Sequence, residues 1–280
     1  MEENKVGEVL ASQGFRFKKQ FGQNFITDSN LLASIVDGAG ATKESTVVEI
    51  GCGAGTLTRA IAERTKRVIA FEIDKDLRPV LAVTLAGAEN AEVVFRDFMS
   101  VNMEEFERDM PPYMVIANLP YYITTPLVMK FIEGSKKCLS LTVMVQEEVA
   151  ERFCALPNTP EYGAVTAGIA LRGVCKIIKR VPRTMFHPRP NVDSAVVRID
   201  IKEGNVAVND AAMYKKVVRA AFLSRRKTFE NNIMQTFKIG RERAKELLSA
   251  CGVQPLARGE QLSPAEFARI ADKFSSEGIS

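Results

Sequence analysis

Four consecutive residues, Asn118, Leu119, Pro120 and Tyr121, follow an apolar run and carry groups suited to holding an amine on a planar ring. The side-chain oxygen of Asn118 and the backbone carbonyl of Leu119 are two hydrogen-bond acceptors. Pro120 restricts the backbone to a turn that directs these acceptors outward, and Tyr121 offers a flat aromatic face for stacking. The segment therefore predicts a site that binds an exocyclic amine.

Such a site would also do chemistry on the amine. The amine nitrogen of adenine is a poor nucleophile because its lone pair is delocalised into the ring. Two acceptors on its hydrogens favour a pyramidal nitrogen, whose lone pair can then attack an electrophile. Catalysis of this kind rests on positioning and electrostatics and needs no histidine; the chain has one, His187. We predict that the segment from Asn118 to Tyr121 is catalytic.

A glycine-rich loop in the segment VVEIGCGAGTLTRAIA predicts a second part of the same site. Gly51, Gly53 and Gly55 lie between a predicted strand and a predicted helix, where missing side chains let backbone amides approach a ligand. The dinucleotide-binding fingerprint requires a glycine where Thr56 stands. The loop therefore favours a nucleoside with a small charged tail over a ligand with a pyrophosphate.

Two carboxylates end the next two predicted strands. The second predicted strand ends in AFEID, which places Glu72 at a spacing from the glycine loop that suits an acid accepting both hydroxyls of a ribose. The third ends in FRDF, which places Asp97 where it would accept from an adenine amino group while Phe98 flanks the ring. The carboxyl ends of parallel strands meet at one edge of a sheet, so these groups and Asn118 predict one nucleoside pocket.

The elements that position these residues alternate between strands and helices. Strands are predicted in TVVEIG, RVIAFEID, AEVVFRDF, YMVIANLP and SLTVMVQE, with helices at 57–64, 75–85 and 125–134 between them, and at 163–172 after the last. This alternation predicts an α/β fold with a doubly wound, mostly parallel, Rossmann-like sheet. CKIIKRV and SAVVRID are two further strands, which we expect to pair antiparallel at a sheet edge.

From about Asn209 onward the strands stop and four segments have helical periodicity. The last of them opens with Ser263 as N-cap, Pro264 at the first helical position and Glu266 two residues later, which is a strong start signal. We predict two domains, an α/β domain over residues 1–205 and a small all-helical domain over residues 206–280, joined by the polar segment KEGNVAVND.

Composition excludes several classes of protein. With 280 residues, of which 46% are apolar and 26% charged, the chain is predicted to be globular. No apolar run reaches the roughly 20 residues that span a bilayer, and there is no signal layout at the start, so we predict a cytoplasmic protein. The five cysteines are scattered, which predicts buried thiols and no metal site. Without coiled-coil heptads, we expect a monomer.

The net charge of +4 is concentrated in three basic clusters. One contains Arg180, Arg183 and Arg189, and the second contains Arg225, Arg226 and Lys227. A shorter group, Arg16, Lys18 and Lys19, is interleaved with phenylalanines. Clustered cations beside aromatic residues are typical of a surface that binds a phosphate-rich partner.

Together, several motifs give the chain a resemblance to the ribosomal RNA adenine dimethyltransferase family. They are KKQFGQNF, EIGCGAGTLT, FEID, NLPYYITTPL, VQEEVAERF, FHPRPNVDSAVV and FLSRRKTFENN, in an order that extends over almost the whole chain. The resemblance implies an enzyme that uses S-adenosylmethionine to dimethylate N6 of two adjacent adenines in the 3′-terminal hairpin loop of 16S rRNA. Its partner would be the immature small ribosomal subunit.

The resemblance also implies roles for individual residues. Asn24 and Ile26 would contact the methionine end of the cofactor, Gly51 its amino-acid part, Glu72 its ribose and Asp97 its adenine, with Gly53 in the same loop. Asn118 would lie where the cofactor methyl meets the target amine. Tyr121 and Phe186 would stack on the two faces of a flipped-out adenine. The basic residues Arg180, Arg183, Arg189, Arg225, Arg226 and Lys227 would hold rRNA phosphates.

Other functions remain open on the sequence alone. The nearest is a methyltransferase of the macrolide-resistance type, which modifies one adenine of large-subunit rRNA; that family typically has isoleucine at the position of Leu119. A non-catalytic assembly or transcription factor that keeps the fold to bind RNA is a second alternative. A nicotinamide oxidoreductase is the weakest, because of Thr56 and because no hydride-transfer signature is present.

Overall fold

A seven-stranded sheet is the largest element of the computed structural model, which describes residues 24–26 and 28–279 together with Val9, Ser12 and Phe15. The strand order across the sheet is β4-β3-β2-β5-β6-β9-β7, and β1 and β8 form a separate antiparallel pair. The strands are β1 (Phe25–Ile26), β2 (Thr46–Ile50), β3 (Arg67–Glu72), β4 (Ala91–Phe95), β5 (Tyr113–Asn118), β6 (Cys138–Gln146), β7 (Gly173–Val181), β8 (Phe186–His187) and β9 (Ser194–Ile201).

The sheet is parallel from β4 to β6, and β9 runs antiparallel to β6. This confirms the predicted doubly wound fold with an antiparallel element near one edge. Strands β2 and β5 are buried almost throughout, which explains their continuous apolar sequence. The chain order reverses between β2 and β5, and at such a switch point the carboxyl ends of neighbouring strands open a crevice for ligands.

Helices connect the strands and continue to the C-terminus. They are α1 (Ser29–Gly38), α2 (Thr56–Ala62), α3 (Arg78–Thr84), α4 (Met103–Glu107), α5 (Thr124–Gly134), α6 (Glu147–Phe153), α7 (Ala164–Ala170), α8 (Ala211–Ala221), α9 (Phe229–Phe237), α10 (Arg241–Ala250) and α11 (Pro264–Ser276). Short 3₁₀ turns include Lys75–Leu77, Phe98–Ser100 and Tyr121–Ile123. Helices α1, α4 and α6 were not predicted, and the helix predicted at 75–85 begins as a 3₁₀ turn.

The structure divides into two compact units, with a boundary that differs from the predicted one. The first unit comprises the described residues up to Ala150 together with Lys176–Ile201, and the second comprises Glu151–Cys175 and the chain from Lys202 onward. The boundary after Ile201 lies close to the predicted one. Residues 151–175, however, were predicted in the first domain.

The physical reason is that residues 151–175 pack with the C-terminal helices. The buried hydroxyl of Tyr162 donates to the carbonyl of Leu262 at 2.9 Å, and the hydroxyl of Tyr214 donates to the carbonyl of Ala167 at 2.9 Å. Both rings belong to one hydrophobic cluster centred on helices α8 to α11. At the start of α11, Ser263 and Glu266 form the predicted capping box.

Three cysteines are buried as predicted, namely Cys52, Cys138 and Cys251. Cys154 and Cys175 are only half-buried, and their sulfur atoms lie 2.9 Å apart although 21 positions separate them in the sequence. Within the described residues no helix combines the length and apolar character needed to cross a membrane. Of the third basic cluster, Arg16, Lys18 and Lys19 lie outside the described residues.

Gly259 is expected to be intolerant of a side chain. A Cβ atom at this position would overlap the backbone carbonyl of Ala221, which cannot move without displacing helix α8. We predict that Gly259→Ala lowers the free energy of unfolding by about 1 to 3 kcal/mol. Gly240→Ala is the matched control, because nothing lies within 4 Å of a Cβ there. Urea unfolding of both variants measures the difference, and equal stabilities would contradict this packing.

Candidate active site

A cleft opens at the carboxyl ends of strands β2 to β5, within the first unit. It encloses about 1150 Å³ of empty space, a volume that includes the open solvent at its mouth. The cleft brings together the predicted catalytic and cofactor residues, with the exception of Phe186. The residues that line it include Asn24, Ile26, Glu49, Gly51, Gly53, Glu72, Asp97, Asn118, Leu119, Pro120, Tyr121 and Tyr122.

Asn118 is the last residue of β5, and its side chain is held in one orientation. Its Nδ2 donates a hydrogen bond to the backbone carbonyl of Asn24 at 3.0 Å. Because a carbonyl can only accept, this contact assigns the nitrogen of the carboxamide to the side that faces Asn24. The oxygen Oδ1 is therefore the end left to accept from a ligand. The predicted acceptor lies in the cleft, and its orientation depends on a residue 94 positions earlier in the chain.

The three residues after Asn118 form a tight turn. The side chain of Leu119 is 2% exposed and anchors the segment, while Pro120 begins the turn and its carbonyl accepts from the amide of Ile123 at 3.1 Å. The hydroxyl of Tyr121 and that of Ser194 are hydrogen-bonded at 2.9 Å. The ring of Tyr121 lies in the cleft wall. Burial raises the pKa of its hydroxyl, so the side chain is a neutral phenol.

The backbone amides of the glycine loop are already used inside the protein. The amides of Gly51 and Cys52 both donate to the carbonyl of Phe71, at 2.8 and 3.1 Å. The amide of Gly53 donates to Oε2 of Glu72 at 2.8 Å. In this conformation strand β3 supplies the acceptors for these three amides, so they are not free to donate to a ligand. The glycines leave space for a ligand beside the loop.

Gly53 supplies that space because it lacks a side chain. Its φ angle is +55°, and a Cβ atom there would lie 2.6 Å from a ring carbon of Phe25. Any side chain would be strained in this backbone conformation and would push Phe25 from its position.

The carboxylate of Glu72 is buried and accepts three backbone hydrogen bonds. Oε1 accepts from the amides of Ile73 and Asp74, each at 2.8 Å, and Oε2 accepts from Gly53. Burial raises the pKa of this carboxyl, and the hydrogen bonds counteract the rise. Since each carboxylate oxygen accepts about two hydrogen bonds, Oε2 keeps one position for a ligand. Glu72 was predicted to accept from both ribose hydroxyls, but three of the hydrogen bonds that its carboxylate can accept are already formed within the protein.

Asp97 and Phe98 both line the cleft, as predicted. Oδ1 of Asp97 caps the following 3₁₀ turn by accepting from the amide of Met99 at 2.8 Å. The Phe98 side chain is 3% exposed, and its ring stacks on Phe131 with centroids 5.3 Å apart. Phe98 is therefore a packed part of the cleft wall, and its contact with an adenine ring stays a prediction.

Glu49 is a cleft residue that was missed from the sequence. It is 1% exposed, and Oε2 has no hydrogen-bond partner in the described part of the chain. Burial raises its pKa from 4.5 to about 8, so the ligand-free carboxyl is largely protonated at neutral pH. The sequence did contain a sign of this role, namely an acidic residue within the apolar strand TVVEI. Buried carboxyls without partners are costly and rare, so such a residue suggests a functional site.

Two aromatic residues also differ from expectation. Tyr122 was not predicted, yet it is 61% exposed and lines the cleft. Phe186, predicted to face Tyr121 across a bound base, is 5% exposed in a core cluster with Ile26. The β1–β8 pairing sets Phe186 directly opposite Ile26 and holds it there. The stacking role of Phe186 stays a prediction.

The basic residues of the first unit are partly used in internal contacts. Arg180 forms an ion pair with Glu147. The guanidinium of Arg183 donates to the carbonyl of Asn191 at 2.8 Å, while Arg189 is exposed.

In the second unit, Arg225 donates to the carbonyls of Pro160 and Tyr162, so its guanidinium holds residues 160–162 in place. Arg226 and Lys227 are exposed. The described residues contain no group of three or more side chains suited to a metal ion.

Comparisons with known proteins agree with this geometry. The family described as ribosomal RNA adenine dimethylase matches residues 14–276. Ribosomal RNA small subunit methyltransferase A of Geobacillus thermodenitrificans is 42% identical over 277 residues, which cover 96% of this chain and 94% of the relative. The protein of the same name from Bacillus licheniformis is 43% identical over 278 residues, covering 96% and 95%.

Solved structures extend the likeness. A dimethyladenosine transferase from Plasmodium falciparum aligns with a TM-score of 0.75 and 24% identity, covering 91% of this chain and 98% of that one, and shows the shared fold. The 23S rRNA methyltransferase ErmE aligns with a TM-score of 0.69 and 26% identity, covering 90% and 99%. The sheet order, the cleft and the extent of these matches lead to one conclusion: the chain belongs to the ribosomal RNA adenine dimethylase family.

Proposed function

We propose that this protein transfers methyl groups from S-adenosylmethionine to N6 of two adjacent adenines in the 3′-terminal hairpin loop of 16S rRNA. The substrate is the immature small ribosomal subunit, and the enzyme acts as a monomer in the cytoplasm. The observation that carries the proposal is the carboxamide of Asn118, whose nitrogen is tied to the Asn24 carbonyl so that its oxygen is left for an amine.

The residues of the cleft fit S-adenosylmethionine, which supplies an electrophilic methyl group on a sulfonium when bound. Asp97 and the spare acceptor of Glu72 provide for the adenine and ribose of a nucleoside. The amides of Gly51, Cys52 and Gly53 already donate inside the protein and are not available to a pyrophosphate, which supports a nucleoside over a dinucleotide. Gly51 and Ile26 line the side of the cleft assigned to the methionine end.

Glu49 is the group we assign to the positive end of the cofactor. It lies two residues before Gly51, and its unpartnered Oε2 is buried in the cleft wall. A cation nearby favours the ionised form of a carboxyl, so a ligand with an ammonium or sulfonium would offset the cost of ionising Glu49. A neutral or anionic ligand would give no such compensation.

The chain's own part in the reaction is to position and polarise the target amine. Asn118 Oδ1 and the Leu119 carbonyl accept the two amine hydrogens, which localises the nitrogen lone pair for attack on the methyl carbon. Tyr121, held by Ser194, stacks on the purine and keeps water from the reacting atoms. Phe186 would complete a sandwich only after leaving its core position.

A large-subunit rRNA methyltransferase of the macrolide-resistance type remains the alternative to be tested. The relatives that carry small-subunit names are 42% and 43% identical to this chain, whereas the aligned 23S rRNA methyltransferase is 26% identical. A non-catalytic RNA-binding factor would have no use for an oriented Asn118. These observations favour the small-subunit enzyme over both alternatives.

The function and the role of Asn118 can be tested together. We expect wild-type protein to transfer labelled methyl groups to immature small subunits and not to large-subunit rRNA, with the label mapping to two adjacent adenines. Asn118→Ala should lower kcat by about 100- to 1000-fold, because loss of one oriented polar group typically costs that much. RNA affinity and thermal stability serve as controls and should change little. Full turnover by Asn118→Ala would disprove the amine-holding mechanism.

The phosphate contacts are best tested at Arg226. This side chain is exposed, whereas Arg225 is engaged with the carbonyls of residues 160 and 162. Arg226→Glu should weaken binding to the rRNA hairpin by about 3- to 10-fold and lower the salt dependence of the dissociation constant by about one phosphate contact. Lys245→Glu, which changes an exposed cation on α10, is the matched control. Affinity for S-adenosylmethionine should be the same in all three proteins.

If Arg226→Glu binds RNA as tightly as the control, Arg226 does not contact the substrate. Arg225→Glu is expected to weaken binding as well, but also to lower thermal stability, because it removes the anchor of residues 160–162.

Glu49 predicts a pH dependence of stability in the ligand-free protein. The native carboxyl has a pKa of about 8, while the unfolded one has its ordinary value near 4.5, so the native state holds the extra proton between these values. Its contribution to stability is present at low pH and is lost as pH rises toward 8. We expect the free energy of unfolding to fall by about 2 kcal/mol more in wild type than in Glu49→Gln between about pH 6 and pH 8. Parallel curves from urea unfolding would contradict this environment for Glu49.

A further inference from the structure

The second unit contains a pair of thiols that the proposed reaction does not use. Cys154 follows helix α6 and Cys175 lies near the start of strand β7, and their sulfur atoms are 2.9 Å apart. Both side chains are half-buried and so remain within reach of a small reagent. The other three cysteines, Cys52, Cys138 and Cys251, are buried. The pair is therefore distinct from the remaining thiols in both proximity and access.

We propose that Cys154 and Cys175 form a reactive dithiol site, which exchanges with low-molecular-weight disulfides to close an intramolecular disulfide bond. One of the two cysteines, as its thiolate, attacks one sulfur of the reagent, forms a mixed disulfide and releases one small thiolate. The sulfur of the other cysteine then attacks the protein sulfur of the mixed disulfide, and the second small thiolate leaves with the proton of that second cysteine. The protein loses two electrons and two protons, and the reagent is reduced to two thiols.

The contact between the two sulfur atoms favours the reaction. At 2.9 Å the two groups are hydrogen-bonded, and either sulfur can be the donor. A thiol that donates to its neighbour stabilises the neighbour's thiolate, which is the attacking species in disulfide exchange. Either cysteine can therefore attack first, and the other lies in position to resolve the mixed disulfide. Burial raises the pKa of Cys52 and Cys251, which keeps these thiols protonated and slow.

A disulfide here would close a loop that organises the second unit. Residues 155–174 contain helix α7 and Tyr162, whose hydroxyl reaches the carbonyl of Leu262. The same loop provides the carbonyls that hold Arg225. Tying its two ends together restricts the unfolded chain far more than the native one, in which the sulfur atoms are already in contact. The oxidised protein is therefore the more stable form, and reduction reverses the change.

The test is to treat folded full-length protein with oxidised glutathione, alkylate the remaining thiols and map the peptides by mass. Wild type should yield a peptide pair joined through Cys154 and Cys175, with the intact mass lowered by about 2 Da. Its Tm should rise by about 5 °C, and dithiothreitol should reverse the rise. Cys175→Ser and Cys154→Ser each lack one of the two sulfur atoms, so each should stop at a glutathione adduct on the cysteine that remains.

Cys251→Ser is the matched control, because it removes a buried thiol of the same unit and should form the disulfide as wild type does. Free thiols at both positions after treatment of wild type would overturn the proposal. So would an equal Tm rise in the variant that lacks both cysteines. The wild-type map decides the question even if a serine variant fails to fold.

Discussion

The hydrogen bond from Asn118 Nδ2 to the Asn24 carbonyl is the interaction on which the site depends. A carboxamide can present either a donor or an acceptor to a ligand, and only the acceptor suits an amine. By taking up the nitrogen, Asn24 leaves the oxygen for the cleft. Strand β5 places this group at the switch point of the sheet, beside the glycine loop that follows β2 and the acidic residues Glu49 in β2 and Glu72 at the end of β3. The fold therefore positions one oriented oxygen in the cleft.

Three carboxyl groups, those of Glu49, Glu72 and Asp97, lie among the mainly apolar residues that line the cleft. Glu72 is stabilised by three backbone amides, whereas Glu49 has an oxygen without a partner among the described residues and is largely protonated at neutral pH. The amide of Gly53 donates to Glu72, and those of Gly51 and Cys52 donate to the Phe71 carbonyl, so none of these three amides is available to a phosphate. The unpartnered oxygen of Glu49 favours a cationic ligand over an anionic one.

The second unit is organised around aromatic residues and backbone carbonyls. Tyr162, Tyr214 and Phe267 belong to its core, and the segment before strand β7 is tied to it by tyrosine hydroxyls and by Arg225. The three neighbouring cations of this unit therefore differ in role: Arg225 anchors residues 160–162, whereas Arg226 and Lys227 are exposed. The same segment brings Cys154 and Cys175 into contact, so one stretch of chain anchors Arg225 and contains both half-buried thiols.

The sequence alone determined the seven strands of the main sheet and most of the helices, the acids at the strand ends and the position of Asn118 to Tyr121, because periodicity and turn chemistry are local properties of the chain. Tertiary structure decided the orientation of Asn118, the saturation of the glycine-loop amides, the burial of Phe186 and Phe98, and the contact between two cysteines. Each of these depends on the distance between residues far apart in sequence, and local pattern contains no information about that distance until the chain has folded.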